Sequence, residues 1–136
     1  MTPTRQTVFG DGKGNCFAAC LACLFDISVE EVPNFCGCPE RNPDWYAHAN
    51  EWLSRRGFKI VGIEFSTLIP PEQQVTISIL PGTYIIVSGK SPRGDFLHNV
   101  VAVAEEGGKF SIVCDPHPSD DGIDGGFTAV DFIVKA

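Results

Sequence analysis

The spacing of hydrophobic residues along the chain changes near Gly57. Before this glycine the apolar residues form one nearly continuous run and one run with helical spacing. After it they form short runs rich in β-branched and aromatic residues, separated by glycine and proline. The first pattern is typical of helices and the second of strands. Helices followed by strands predict an α+β domain.

The first predicted helix begins at Asn15 or Cys16 and ends at Phe25. Its residues are apolar nearly all round, so we expect the helix to be buried centrally rather than to lie on the surface. Asn15 is placed to act as the N-cap of this helix.

Two further helices are predicted before the strands. Ser28 and the two glutamates that follow Val29 form a capping box, which predicts a short helix ending by Pro33. A third helix is expected from Asn42, with a proline in its first turn, to Gly57. Its apolar residues have helical spacing, which favours core packing for both tryptophans. They are Trp45, Ala49, Trp52 and Leu53.

The second part of the chain predicts an antiparallel sheet. Most segments read as strands, although the second is either a strand or an extended loop, and Gly62 marks a possible bulge in the first. The segments are Phe58–Phe65, Thr76–Leu80, Thr83–Ser88, His98–Ala104, Lys109–Cys114 and Phe127–Val134.

One predicted hairpin brings a histidine and an aspartate together. If the Glu105–Gly108 loop is symmetric, Ala104 pairs with Lys109. That register places His98 directly opposite Asp115, with Cβ atoms about 5 Å apart. The inference depends on the loop, since a shift of one residue would destroy the pairing.

Length and charge narrow the classes of protein. The 136 residues fit a single domain spanning residues 1–136. The net charge of −7 and the absence of a Lys/Arg cluster argue against nucleic acid as a partner. No apolar run approaches the roughly 20 residues of a membrane span, and the N-terminus lacks a signal-peptide pattern. We therefore expect a cytoplasmic protein with reduced cysteines and no membrane partner.

The cysteine spacing gives little support to a metal site. Cys20 and Cys23 match a CxxC pair, but they lie inside the apolar helix, where core packing is the better interpretation. Cys36 and Cys38 form a loop pair that suits a metal clip, a redox site or neither. The acidic segment 119–125 lacks the ligand spacing of an EF-hand. We expect no metal and no cofactor.

Three residues suggest thiol chemistry. Cys16 falls in the first turn of a helix, where unpaired N–H groups and the helix dipole favour a thiolate. His98 begins a predicted strand, and Asp115 follows the next one. A nucleophile, a base and a group that orients the base are the components of a catalytic triad.

These residues resemble a known family. The segment Gly14-Asn15-Cys16-Phe17-Ala18-Ala19-Cys20, the histidine heading a valine-rich strand, and Asp115-Pro116 are similar to the papain-like superfamily of cysteine peptidases and acyltransferases, closest to its small peptidase-C39-like and phage-encoded relatives. The resemblance implies a central helix that carries Cys16 and packs with its neighbours on an antiparallel sheet. It also implies a thiol hydrolase or acyltransferase that attacks an amide or related carbonyl through a thioester. Gln6 matches in kind the glutamine that helps to form the family's oxyanion hole.

The expected substrate is a peptide or a small amide. We assign substrate contacts to Asn15, Lys90, Arg93, Asn99 and His117. The last of these and the two basic residues lie in the loops over 89–95 and 116–126, which should border the cleft. Lys90 and Arg93 would be its main positive groups, which favours a substrate with a negative feature.

Other interpretations stay open at the level of the sequence. His117 is a rival to His98 as the base. The chain could be an inactive papain-like module that binds peptides, or a metal or redox protein that uses Cys36 and Cys38. The pattern leaves the oligomeric state open.

Overall fold

The computed structural model describes residues 1–10, 12–37, 44–69 and 79–136. Helix α1 spans Cys16–Phe25 and helix α2 spans Trp45–Ser54, and a 3-10 turn at Val29–Glu31 follows α1. Five strands follow, and they are β1 (Phe58–Ile69), β2 (Tyr84–Lys90), β3 (Leu97–Ala104), β4 (Phe110–Cys114) and β5 (Asp124–Lys135).

The five strands form one sheet in the order β1-β5-β2-β3-β4, and every neighbouring pair is antiparallel. The last strand, β5, lies between β1 and β2, and the edge strands of the sheet are β1 and β4. The predicted α+β class is confirmed.

Helix α1 provides the centre of the core. Its residues from Phe17 to Cys23 are all buried, as the apolar run predicts. They pack with Ala49 and Leu53 of α2 and with apolar side chains of the sheet such as Val101. Cys20 and Cys23 are fully buried, so the CxxC spacing inside α1 reflects packing.

The tryptophans of α2 join this core at its edge. The Trp45 ring meets the Phe17 ring edge-on at 5.1 Å, and the Trp52 ring meets the Phe25 ring at 5.9 Å. Core packing of both tryptophans is therefore confirmed. The predicted start of this helix at Asn42 lies outside the described residues.

Asn15 is the N-cap residue of α1, as predicted, but its side chain makes no capping hydrogen bond. Its side-chain oxygen instead accepts hydrogen bonds from the backbone N–H groups of Thr7 and Val8, both at 2.9 Å. The backbone N–H of Asn15 donates to the Val8 carbonyl at 3.1 Å. The N-terminal arm is thus tied to the residue immediately before the helix.

Strands β1 and β5 are both longer than predicted. Strand β1 continues to Ile69, and its pairing with β5 passes through Gly62 without interruption, so Gly62 is not a bulge. Strand β5 begins at Asp124, inside the segment expected to be a loop. The possible strand at Thr76–Leu80 lies mostly outside the described residues.

The predicted register of the β3–β4 hairpin is wrong. Ala104 pairs with Phe110 rather than Lys109, and an irregularity follows, beyond which Val101 pairs with Cys114. Continued by one step, this register places Asp115 opposite Val100, so His98 is its diagonal neighbour on the same face. Long side chains can bridge such a diagonal, which accounts for the contact described below.

The helices do not meet the length of a membrane span. Within the part of the chain that the structure describes, no helix is long and apolar enough to cross a bilayer.

Candidate active site

A cavity of about 1120 Å³ opens between the starts of the two helices and the sheet. This volume suits a ligand of drug-like size or a short stretch of peptide. Its lining brings together side chains from both helices, from β3 and β5, and from the loop after β4, among them Cys16, Tyr46, His98, Asn99, His117 and Asp131.

His98 and Asp115 form a buried ion pair beside this cavity. The two atoms His98 Nε2 and Asp115 Oδ1 are 2.7 Å apart, and both side chains are only 3% exposed. The backbone N–H of His117 donates to Asp115 Oδ1 at 2.9 Å, and that of Gly122 donates to Oδ2 at 2.7 Å. Asp115 is therefore held by several donors, and it fixes the orientation of the imidazole.

The pair keeps the imidazole protonated. Burial lowers the pKa of His98, but hydrogen bonds with Asp115 and Cys16 and the charges of those groups outweigh it, so the pKa rises to about 9. Burial raises the pKa of Asp115, but the hydrogen bonds from His98, His117 and Gly122 lower it below its usual value. At neutral pH the pair is thus an imidazolium and a carboxylate.

Cys16 lies next to both His98 and Asn99. Its thiol donates to Asn99 Oδ1 at 3.4 Å, and it is close enough to the His98 ring to raise the pKa of that ring. Asn99 in turn donates from Nδ2 to the hydroxyl of Ser88 at 2.6 Å. The sulfur of Cys16 thus lies between a cationic ring and a carboxamide.

Gln6 reaches this site because the arm folds back onto the start of α1. It is 7% exposed and lines the cavity together with Gly14 and Cys16. Its Nε2 donates to the Val8 carbonyl at 2.9 Å, while its Oε1 is buried and has no hydrogen-bond partner among the described residues. A buried amide oxygen left unpaired is costly, which indicates that the chain maintains this position at some loss of stability.

Arg5 fastens the loop that carries Asp115. Its guanidinium donates to the backbone oxygens of Asp115 and His117 at 2.8 and 2.9 Å, and to both carboxylate oxygens of Asp120. The N-terminal arm and the loop after β4 are therefore joined next to the candidate triad.

His117 lies in the cavity as a neutral ring. Burial, Arg93 and His98 all lower its pKa. The backbone N–H of Ser119 donates to its Nδ1 at 3.1 Å, which assigns the remaining ring proton to Nε2. His117 contacts Phe9 edge-on at 5.3 Å, whereas the histidine that meets Cys16 and Asp115 is His98.

The other predicted substrate contacts divide into two groups. Arg93, Asn99 and His117 line the cavity, and Arg93 Nη1 donates to the Ser119 hydroxyl at 3.0 Å. Lys90 lies 3.8 Å from Asp124 and is not part of the lining. Asn15 is not part of it either, because its side chain holds the N-terminal arm. Of the two expected positive groups, only Arg93 therefore faces the cavity.

The structure gives no site for the metal interpretation within residues 1–10, 12–37, 44–69 and 79–136, where no cluster of three or more His, Cys, Asp or Glu side chains could hold an ion. Cys36 lines the cavity, but its sequence neighbour Cys38 lies outside the described residues.

Sequence reasoning missed Asp131, a buried carboxylate on the floor of the cavity. It lies between Val130 and Phe132 in the middle of an apolar strand. A charged residue at such a position is unusual, and this was the signal that could have identified it.

Comparison with protein-family models, with curated proteins and with solved structures gives no match. The papain-like resemblance therefore stays a prediction that rests on the motif residues and on the geometry of the cavity.

Proposed function

We propose that this protein is a papain-like thiol hydrolase or acyltransferase in which Cys16 is the nucleophile, His98 the base and Asp115 the group that orients the base. The observation that carries this proposal is the buried 2.7 Å contact between His98 and Asp115, with Cys16 interacting with the same ring. A histidine–aspartate pair with a purely structural role would need neither a cysteine at the start of a helix nor an open cavity beside it.

The first half of the reaction forms a thioester. The reacting form is a thiolate–imidazolium pair, in which His98 holds the proton it shares with Cys16 and Asp115 stabilises the imidazolium. The thiolate attacks the carbonyl carbon of the substrate, a C–S bond forms, and an electron pair moves to the carbonyl oxygen. The backbone N–H of Cys16 and the Gln6 amide would bind this oxyanion, where one lost donor typically costs about 3 kcal/mol. The C–N or C–O bond then breaks, and the leaving group takes the proton from His98.

The second half releases the acyl group. Water or an amine attacks the thioester carbonyl, and His98 accepts the proton of the attacking group. The C–S bond breaks, and the sulfur leaves as a thiolate beside the imidazolium. Water as the acceptor gives hydrolysis, and an amine gives acyl transfer.

Acylation by an activated ester tests this proposal without knowledge of the natural substrate. We expect p-nitrophenyl acetate to acetylate Cys16, as measured by intact mass and peptide mapping. Cys16→Ser should lose the acetyl group, and His98→Gln should acylate about 100-fold more slowly because the base is gone. Cys36→Ser is the matched control, since Cys36 is another thiol on the cavity wall. Equal acetylation of Cys16 and Cys36 in the native protein would contradict the proposal.

A further inference from the structure

Asp131 presents a buried carboxylate to the cavity that contains Cys16. The residue lies inside β5, is 7% exposed and forms part of the cavity wall. The hydroxyl of Tyr46, which is also part of the wall, lies beside this carboxylate. The two oxygens of a carboxylate offer about four acceptor positions, and a single hydroxyl can occupy only one of them.

No basic side chain of the described residues forms an ion pair with Asp131. Glu64, which lines the same cavity, adds a second negative charge nearby. Burial and the charge of Glu64 raise the pKa of Asp131 to about 6. A buried anion without a cation is costly, so a cationic group that enters the cavity would recover that cost.

Gly62 keeps the space around this carboxylate open. A Cβ atom at position 62 would lie 2.7 Å from both Asp131 Oδ1 and Tyr46 Oη. Any other residue would push these groups apart or cover them. The glycine is thus explained by the carboxylate, since the strand itself passes through position 62 in regular register.

The sheet register gives the separation between Asp131 and the thiol. Asn99, which Cys16 contacts, pairs with Ser88, and Ser88 pairs with Ala129. Asp131 lies two residues further along the same face. Two strand spacings and two residues of rise amount to about 12 Å, which three to four extended residues span.

We infer that Asp131 and Tyr46 form a specificity subsite for a primary ammonium or guanidinium group, and that the substrate is a peptide with a lysine or arginine side chain near the attacked carbonyl. This inference rests on the proposed function, because the subsite is defined relative to the Cys16 nucleophile. It replaces the expectation of a negatively charged substrate with that of a cationic one.

Matched covalent probes test the subsite. The probes are tri-alanine acyloxymethyl ketones in which one of the three positions carries lysine, norleucine or glutamate. Norleucine has nearly the shape of lysine without its charge. The measurement is the second-order rate constant of Cys16 labelling by intact mass. We expect the lysine probe to react about tenfold or more faster than the norleucine probe at one position, and the glutamate probe to be slowest.

Two acidic residues of the same strand make a matched pair of variants. Asp131→Asn keeps the shape but removes the charge, so the lysine-to-norleucine ratio should fall to near one. Asp124→Asn removes an exposed charge outside the cavity lining, and it should leave the ratio unchanged. If Asp131→Asn does not fold, Tyr46→Phe takes its place, because the nearby hydroxyl favours the charged carboxylate and its loss should also reduce the ratio.

Iodoacetamide separates failure of the subsite from failure of the proposed function. If Cys16 reacts with iodoacetamide no faster than the other cysteines, the proposed function and the subsite fall together. If Cys16 is reactive but the native ratio is near one, or if Asp131→Asn keeps a high ratio, only the subsite is overturned.

Discussion

At the scale of single residues, the protonation of His98 is the feature on which the candidate site depends. Asp115 and Cys16 together hold the pKa of this buried ring at about 9, against a usual value of 6.5. The ring of His117, whose centroid lies 6.4 Å from that of His98, has a lowered pKa and stays neutral. The cavity thus contains one cationic and one neutral imidazole at neutral pH, and each suits a different role.

The raised pKa of His98 predicts a pH dependence of stability. Because the protonated ring is favoured in the folded state, its contribution is complete below pH 6.5 and is lost as the pH rises through about 9. We expect the free energy of unfolding to fall by roughly 2–3 kcal/mol across this interval, measured by urea denaturation. Asp115→Asn should flatten this part of the profile, whereas His117→Gln should keep it. A flat profile in the native protein would contradict the assignment.

The contact between Asn99 and Cys16 predicts that a charge at position 99 changes the reactivity of the thiol. Its Oδ1 lies 3.4 Å from Cys16 Sγ, so Asn99→Asp places a negative charge where the thiolate must form. We expect alkylation of Cys16 by iodoacetamide at pH 7 to slow about tenfold in this variant. Asn99→Ala removes the same acceptor without adding charge and should change the rate much less. Equal rates in the two variants would show that the contact has no electrostatic effect on the thiol.

At the scale of elements, two segments without regular structure complete a site whose Cys16 and His98 lie on α1 and β3. The arm before α1 and the loop after β4 are joined by Arg5, whose guanidinium binds two backbone oxygens and the Asp120 carboxylate. The ion pair with Asp120 is exposed and contributes little by itself. The value of Arg5 lies in holding the backbone that positions Asp115.

Loss of this guanidinium should loosen the loop locally. In Arg5→Ala we expect faster hydrogen exchange at the Gly122 amide, which donates to Asp115 Oδ2 at 2.7 Å in the native protein. Exchange of amides in α1 should stay unchanged, because that helix belongs to the core. Arg5→Lys should not restore protection, since a single ammonium cannot make the same set of contacts. Native-like exchange at Gly122 in Arg5→Ala would show that the arm does not hold the loop.

Gly62 gives an element-scale prediction about packing. Gly62→Ala should lower the free energy of unfolding by about 1–3 kcal/mol, because its Cβ would approach Asp131 Oδ1 and Tyr46 Oη at 2.7 Å. The cost should shrink in an Asp131→Ala background, which a double-mutant cycle by urea denaturation would measure. An equal cost in both backgrounds would mean that the glycine is required by the strand and not by the carboxylate.

The β3–β4 hairpin shows how far sequence reasoning reaches. The pattern correctly predicted two strands here and a contact between His98 and Asp115. The register predicted from the pattern is wrong, because Ala104 pairs with Phe110 and an irregularity in the pairing follows near Val113. Turn geometry and bulges depend on packing that a hydrophobic pattern does not encode. The predicted contact between His98 and Asp115 is nevertheless present, because side chains of this length can also meet between diagonal positions of neighbouring strands.

At the scale of the whole molecule, helices cover one face of a five-stranded sheet, and the cavity lies where both helices begin. Short-range signals predicted α1 and most of the strands. The insertion of β5 between β1 and β2 could not be predicted, because it depends on pairing between distant segments. The same insertion brings Asp131 into the cavity. The sequence could therefore predict a site centred on Cys16 but not the buried carboxylate in the cavity wall.

The most direct test of the central claim is the pH profile of Cys16 alkylation in the native protein and in His98→Gln. Each protein is treated with iodoacetamide at a series of pH values, and the labelled cysteines are identified by peptide mapping. If His98 and Cys16 form the proposed pair, Cys16 will be labelled at pH 6 well before the other cysteines, and His98→Gln will abolish this selectivity. Equal labelling of Cys16 and Cys36 at pH 6, or a selectivity that persists in His98→Gln, would contradict the account.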